Sequence, residues 1–271
     1  MSIVAVVKGE RGPDTVERAV SLAGGLKHLI DRPVLIKVNF ITRKTWDTGA
    51  TTDPVLVEAL VRILKPLAKV AIVESDATLT NADKAFEATG MSEVCKKYDV
   101  PFINLRREKD RVRVGVSGCD ALSEIELPKI VMEGNVVSAA KLKTHSETQV
   151  TLGMKNMFGL IPDKFKGKYH FRGIEKVIVD LNSVVKPAFT VIDGFVAMEG
   201  RGPVNGDPVK MDLVIAGRDP VATDAVAAKI MGFEPGKVYH IARAHERGLG
   251  NIEDIEVVGE PIENVKRVFR R

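Results

Sequence analysis

A chain of 271 residues, 45% apolar and 28% charged, is long enough to bury a full core without disulfide staples and too short for an extended multidomain machine. Forty Lys and Arg against thirty-six Asp and Glu leave a net charge of +4. The basic residues are interleaved with acidic ones rather than gathered in a block, which argues against a dedicated nucleic-acid partner.

The apolar run 3–7 predicts a buried strand, and Pro13 opens a segment whose residues Val16, Ala19, Val20, Ala23 and Leu26 have helical spacing. Residues 33–38 predict a second buried strand, 39–53 a polar loop, 54–64 a helix capped by Asp53 with Pro54 in its first turn, and 69–73 a third strand. Strands alternating with helices at this interval imply right-handed crossovers and a largely parallel sheet. The middle reads as a helix pair over 82–98, a strand at 101–105, a half-exposed edge strand at 110–116 where Val alternates with Arg, and an apolar run at 129–140. Helices are expected at 148–160, 173–186, 219–231 and 235–247, and strands at 188–192, 212–216 and 255–258. The fold class is therefore α/β: a mainly parallel sheet flanked by helices, one domain over 1–271, with 82–140 as an irregular insertion or small lobe.

Two cysteines, Cys95 and Cys119, with no Cys-x-x-Cys, exclude an all-cysteine zinc or iron–sulfur site within one chain, so no cluster is expected. The run 3–7 is followed at once by Lys8, Glu10 and Arg11, unlike a secretory signal, and no stretch has the length and apolarity of a membrane span. These features predict a cytoplasmic protein with no membrane partner. Gln149 is the only glutamine amid abundant charged residues, the bias of a thermophilic source.

In open parallel sheets ligands gather at the carboxyl ends of strands, which directs attention to Lys37 with Asn39, to Glu74-Ser75-Asp76, and to Asp193-Gly194. The segment 141–170 combines two of the five histidines with many lysines, threonines and glycines. Lys143, His145 and Thr148 suit anion binding ahead of a helix, on which Thr151 and Lys155 would share a face; a histidine there equally suits local capping. Lysines 164, 166 and 168, held only by Phe165 and Tyr169, suggest a mobile tip kept open by mutual repulsion. A third concentration, 193–207, reads as a glycine-rich loop after a buried strand, with Asp193 and Glu199 suited to proton transfer or a divalent metal and Arg201 to a carboxylate. It matches neither a Walker loop nor a dinucleotide fingerprint, and a purely structural loop fits it as well.

The ordered motifs Lys-x-Asn at Lys37, T-T-D-P-x-L-V-E-A-L, K-T-H, V-T-L-G-M-K-N-M-F-G-L, V-I-D-G, M-E-G-R-G-P and D-P-V-A-T-D-A-V-A-A-K-I-M-G resemble the domain of unknown function 362 family from about Lys37 to Gly250. The family pattern falls on Lys37, Asn39, Thr52, His145, Thr151, Lys155, Asn156, His170, Asp193, Glu199, Gly202, Pro203, Asp219 and Asp224. The resemblance implies an uncharacterised protein of a kind often joined to a ferredoxin-like iron–sulfur segment. This chain has no such cysteine cluster, and the iron–sulfur label does not carry over. Asp224 falls within an apolar helix and requires a partner, for which Lys37, Lys143 or a histidine is expected.

The functional expectation is an enzyme acting on a small anionic substrate, a carboxylate or phosphate. Lys37, Asn39, Thr52, Lys143, Asn156, His170 and Arg201 are expected to bind it; His145, Lys155, Asp193 and Glu199 to be catalytic; and Asp193 and Glu199 to offer a divalent metal site. The rival expectation is a non-catalytic accessory protein that binds a metal, a cluster or a redox protein partner. Self-association is compatible with either.

Overall fold

The capping signals of the N-terminal half act where they stand in the sequence. In the computed structural model, which describes residues 1–271, β1 (Ser2–Lys8) leads to α1 (Pro13–Leu22) and β2 (Val34–Lys37) to α2 (Pro54–Leu64), where the Asp53 carboxylate accepts from the Val55 N–H at 2.9 Å. β3 (Val70–Glu74), α3 (Ala82–Ala88), α4 (Met91–Tyr98) and β4 (Phe102–Asn104) follow, and β5 (Arg111–Gly115) pairs with β6 (Glu124–Pro128). Gly134 splits the apolar run 129–140 into α5 (Lys129–Glu133) and β7 (Asn135–His145). Next come β8 (Gln149–Val150), α6 (Leu152–Asn156), α7 (Gly167–Phe171) and α8 (Ile174–Val184). The long hairpin β9 (Phe189–Glu199) and β10 (Asp207–Gly217), then α9 (Pro220–Ile230), α10 (Tyr239–Glu246), β11 (Ile255–Gly259) and α11 (Ile262–Val265), complete the chain.

Nine strands form a mixed, mostly parallel sheet in the order β11-β1-β10-β9-β7-β2-β3-β4, with β8 folded back on β7. β2, β3, β4, β7 and β9 run parallel, whereas β10 is antiparallel to both β1 and β9. Two apolar layers sandwich the sheet. Val137 and Ala139 of β7 face the core shared with α1 and α2, and Ala140 and Leu142 face the core shared with α8 and α9, the period of two expected of a strand buried on both sides.

Three expectations are corrected. The 110–116 strand is no edge of the main sheet: it belongs to a separate two-stranded sheet that the chain forms between β4 and β7, over 105–134. This hairpin is fastened by the buried Asp180 carboxylate, which accepts the N–H groups of Asp120, Ala121 and Leu122 at 2.7–2.9 Å and an Arg247 guanidinium at 2.7 Å. The expected loop over 193–207 is strand over 193–199, the end of β9, and a turn only over 200–206, ahead of β10. Of the four glycines behind that reading, Gly200, Gly202 and Gly206 lie in the turn, whereas Gly194 lies in the strand: a Cβ there would lie 2.9 Å from the Leu213 carbonyl, so this glycine serves close strand pairing. The expected helix 148–160 is interrupted, with Gln149 at φ 60° and Leu152 at φ 50°, so the chain makes a short bridge, a short helix and a 3₁₀ turn in succession.

Asp224 departs from expectation too. Its partners are the backbone N–H groups of Gly153 and Met154, at 2.7 and 2.8 Å, and it thereby anchors the first turn of α6 to α9. Burial pushes this carboxyl up to about 7. Folding therefore takes up a proton here, and the stability contributed by the protonated form is complete below about pH 4 and lost as pH rises through the folded value. Asp224→Asn should flatten that slope in urea titrations between about pH 4 and about pH 7. Asp224→Ala, which orphans two buried donors, should cost about 2–5 kcal/mol.

Candidate functional site

A cavity of about 480 Å³ opens at the carboxyl ends of β2, β3 and β7. This is where a parallel sheet leaves backbone and side chains free to meet a ligand. β2 delivers Lys37 and, just beyond it, Asn39; β3 delivers Glu74 and Ser75; β7 delivers His145; and α6 delivers Lys155 and Asn156. Lys166 and His170 close the far wall.

The floor is a hydrogen-bonded lattice. Lys37 Nζ donates to Glu74 Oε2 at 2.9 Å, and the same carboxylate accepts the backbone N–H groups of Phe40 at 3.0 Å and Ser75 at 2.9 Å. Asn156 crosses from α6 to β2: its Oδ1 accepts from Lys37 Nζ at 3.3 Å and from Asn39 Nδ2 at 3.2 Å, while its Nδ2 donates to the Lys37 carbonyl at 2.9 Å and to Ser138 Oγ at 3.1 Å. Lys143 lies behind Asn39, donating to its Oδ1 at 3.0 Å and to the carbonyls of Ala50 and Pro203. Burial, and then the charges of Lys155 and Lys141, hold the Lys143 ammonium well below the ordinary lysine range.

The walls are less fully bonded. Lys166 is buried and donates to Ser75 Oγ at 2.8 Å, and burial brings it down to about 8 against the pull of Glu74. Lys155, half-buried, has no hydrogen-bond acceptor in the protein and stands 5.9 Å from the centroid of the Phe158 ring. Burial lowers it to about 8 as well, opposed by Glu147 and reinforced by Lys37. His145 Nδ1 accepts the backbone N–H groups of Glu147 at 3.1 Å and Thr148 at 3.4 Å, which assigns the ring proton to Nε2. Burial and the nearby Lys155 and Lys143 keep this imidazole neutral. His170 Nδ1 lies 2.8 Å from Glu147 Oε2 at the rim.

Of the expected residues, the structure brings Lys37, Asn39, His145, Lys155, Asn156 and His170 to one cavity. Thr52 stays below it, accepting the Asn39 N–H at 2.8 Å and donating to the Ala139 carbonyl at 2.8 Å. Arg201 is exposed and off the wall. Asp193 and Glu199 do not join the others. Asp193 is fully buried on Lys141 Nζ at 2.7 Å and accepts the Asp53 and Phe195 N–H groups; Glu199 accepts from Arg267 at 3.3 Å and from Arg270 at 2.9 Å. Both carboxylates are thus occupied by cations of their own chain, and no group of three or more His, Cys, Asp or Glu side chains is gathered to hold a metal ion. The expected repulsion among lysines 164, 166 and 168 is relieved, since Lys166 turns inward and Lys168 pairs with Asp163 at 2.7 Å.

Sequence reasoning missed Lys166 as a wall residue, and the only signal for it was its place in a basic segment. It noted the strand end at Glu74 without assigning its role as the partner of Lys37. Gly159 reads in the sequence as one of several flexible glycines, and its place against the buried pair has no signal there. A Cβ there would lie 2.2 Å from Glu74 Oε1 and 2.4 Å from Lys37 Nζ, so this glycine is required by space. Gly159→Ala should force the buried pair apart and cost about 1–3 kcal/mol, read by chemical denaturation against the unchanged chain.

The chain matches the family model described as Domain of unknown function (DUF362) over residues 34–229. The thylakoid-associated protein sll1697 of Synechocystis sp. is 26% identical over 236 residues, an alignment that spans 83% of this chain and 72% of that protein. No solved structure matches the chain. No helix is long and apolar enough to cross a membrane. The family match begins at the first residue of β2 and ends inside α9, so it takes in each strand end and the short helix that build the cavity, and the protein belongs to the DUF362 family.

Proposed function

We propose that the cavity binds a small anionic substrate, a carboxylate or a phosphate, and that the protein is an enzyme in which Lys155 exchanges a proton with it. The observation that carries this reading is the Lys155 ammonium: half-buried on the cavity wall, it has no acceptor in the protein and is left for an anion to complete. Lys166 and the Nε2–H of His145 supply further donors to the same space. A lysine brought down to about 8 is partly neutral near pH 7 and serves as a general base, while a neutral imidazole donating from Nε2 stabilises developing negative charge without releasing its own proton. The free thiols Cys95, buried, and Cys119, exposed, suit the reducing cytoplasm.

One feature favours a second reading, a non-catalytic carrier of the same anion. Both carboxylates on the wall are engaged, Glu74 by Lys37 and Glu147 by His170, so no free carboxylate base faces the ligand. Turnover of a bound anion by the purified protein separates the two readings; exchange without turnover selects the carrier.

Sulfate, which does not titrate near neutrality, is the probe for the binding step. Its affinity by calorimetry should be complete well below pH 8 and fall as pH rises through about 8, because Lys155 and Lys166 then lose their protons. Lys155→Met should weaken binding by roughly tenfold and reduce that pH dependence. Affinity that stays constant from about pH 6 to about pH 10 would remove the lysines from the binding step.

A further inference from the structure

Beside the cavity lies a second hollow of about 240 Å³. Its wall carries three cations, Arg43, Lys84 and Lys164, and no acidic side chain. Arg43, Thr78, Leu79 and Thr80 line both hollows, so the two adjoin along this segment.

The charge of this outer hollow is uncompensated. Neighbouring cations are occupied: Lys44 donates to the Val204 carbonyl at 2.8 Å, Lys166 to Ser75 at 2.8 Å, and Lys168 pairs with Asp163 at 2.7 Å. The surrounding carboxylates are occupied as well, Asp76 by Arg106 at 3.0 Å, Asp83 by Arg107 at 2.7 Å, and Asp163 by Lys168 and the Tyr169 hydroxyl. Arg43, Lys84 and Lys164 have no such partner. Three like charges around a concave surface repel one another and lower the free energy of any anion that enters. Leu79 stands at the junction of the hollows and is 98% exposed, a large apolar side chain in water where a ligand would pass from one to the other.

We propose that the two hollows form one elongated site for a molecule carrying two anionic groups joined by a short carbon spacer. One group rests on Lys155 and Lys166, the second on Arg43, Lys84 and Lys164, and the spacer lies over Leu79. The inference rests on the reading of the inner cavity as an anion site. It adds a substrate class, the bis-anion, and the residues that select it. Two joined groups gain over one because the second binds at the effective concentration set by the spacer.

The test compares inorganic phosphate with propane-1,3-diol bisphosphate by calorimetry at fixed pH and ionic strength. The bisphosphate should bind tighter by roughly tenfold, and in the double variant Lys84→Ser/Lys164→Ser the ratio of the two affinities should fall towards one. Both positions are exposed, so the fold tolerates the change. Removing two equally exposed lysines away from the hollows, Lys69→Ser/Lys186→Ser, should leave the ratio in place and so separates local contact from net charge. A bisphosphate that binds no tighter than phosphate overturns this inference and spares the inner site, as does a ratio that survives the double variant. Failure of both anions to bind overturns the anion reading itself, and this inference with it.

Discussion

The site depends on the buried pair of Lys37 and Glu74. An ammonium and a carboxylate so far from water persist only when their remaining donors and acceptors are met. Here the carboxylate also takes the N–H groups of Phe40 and Ser75, while the ammonium also reaches the Val38 carbonyl and Asn156. The pair therefore ties the ends of two parallel strands to the turn after β2 and, through Asn156, to α6. Gly159 is pressed against it from above. Moving any of these parts leaves a buried charge unpaired, so the contacts hold the floor of the cavity together.

With that pair in place, the other buried lysines divide by what each finds. Lys141 meets Asp193 in the adjoining strand, and Lys143 meets three oxygens of the chain itself. Burial drives Asp193 up against the pull of Lys141, and the N–H groups of Asp53 and Phe195 help to hold the carboxylate in place. Lys166 finds the Ser75 hydroxyl and, at 3.5 Å, the Phe158 carbonyl, and Lys155 finds no acceptor. The positive charge left over faces the cavity rather than the core. α6, which carries Lys155, begins at a residue with a left-handed backbone, Leu152 at φ 50°, and Asp224 holds that turn through two backbone hydrogen bonds. Strain at Leu152 is thus supported from α9, outside the cavity, and the support fixes where Lys155 stands.

The amino-acid sequence by itself determined the α/β rhythm, the capping of α2 by Asp53 and of α9 by Asp219, and the strand ends at Lys37 and Glu74, because these rest on local periodicity and on hydrogen bonds two or three residues away. The family resemblance also singled out His145, Lys155 and Asn156, which the structure places at the end of β7 and on α6. Only the tertiary structure decided which charges are free. Asp193 and Glu199 look available in the sequence, yet Lys141, 52 positions away, claims the first, and Arg267 and Arg270, near the end of the chain, claim the second. Gly159 and Gly194 look like turn residues, yet a side chain and a neighbouring strand fill the space that a Cβ would need. Pairing across the sheet has no local signature, since Coulomb attraction and close packing act through space between residues that the chain order keeps apart.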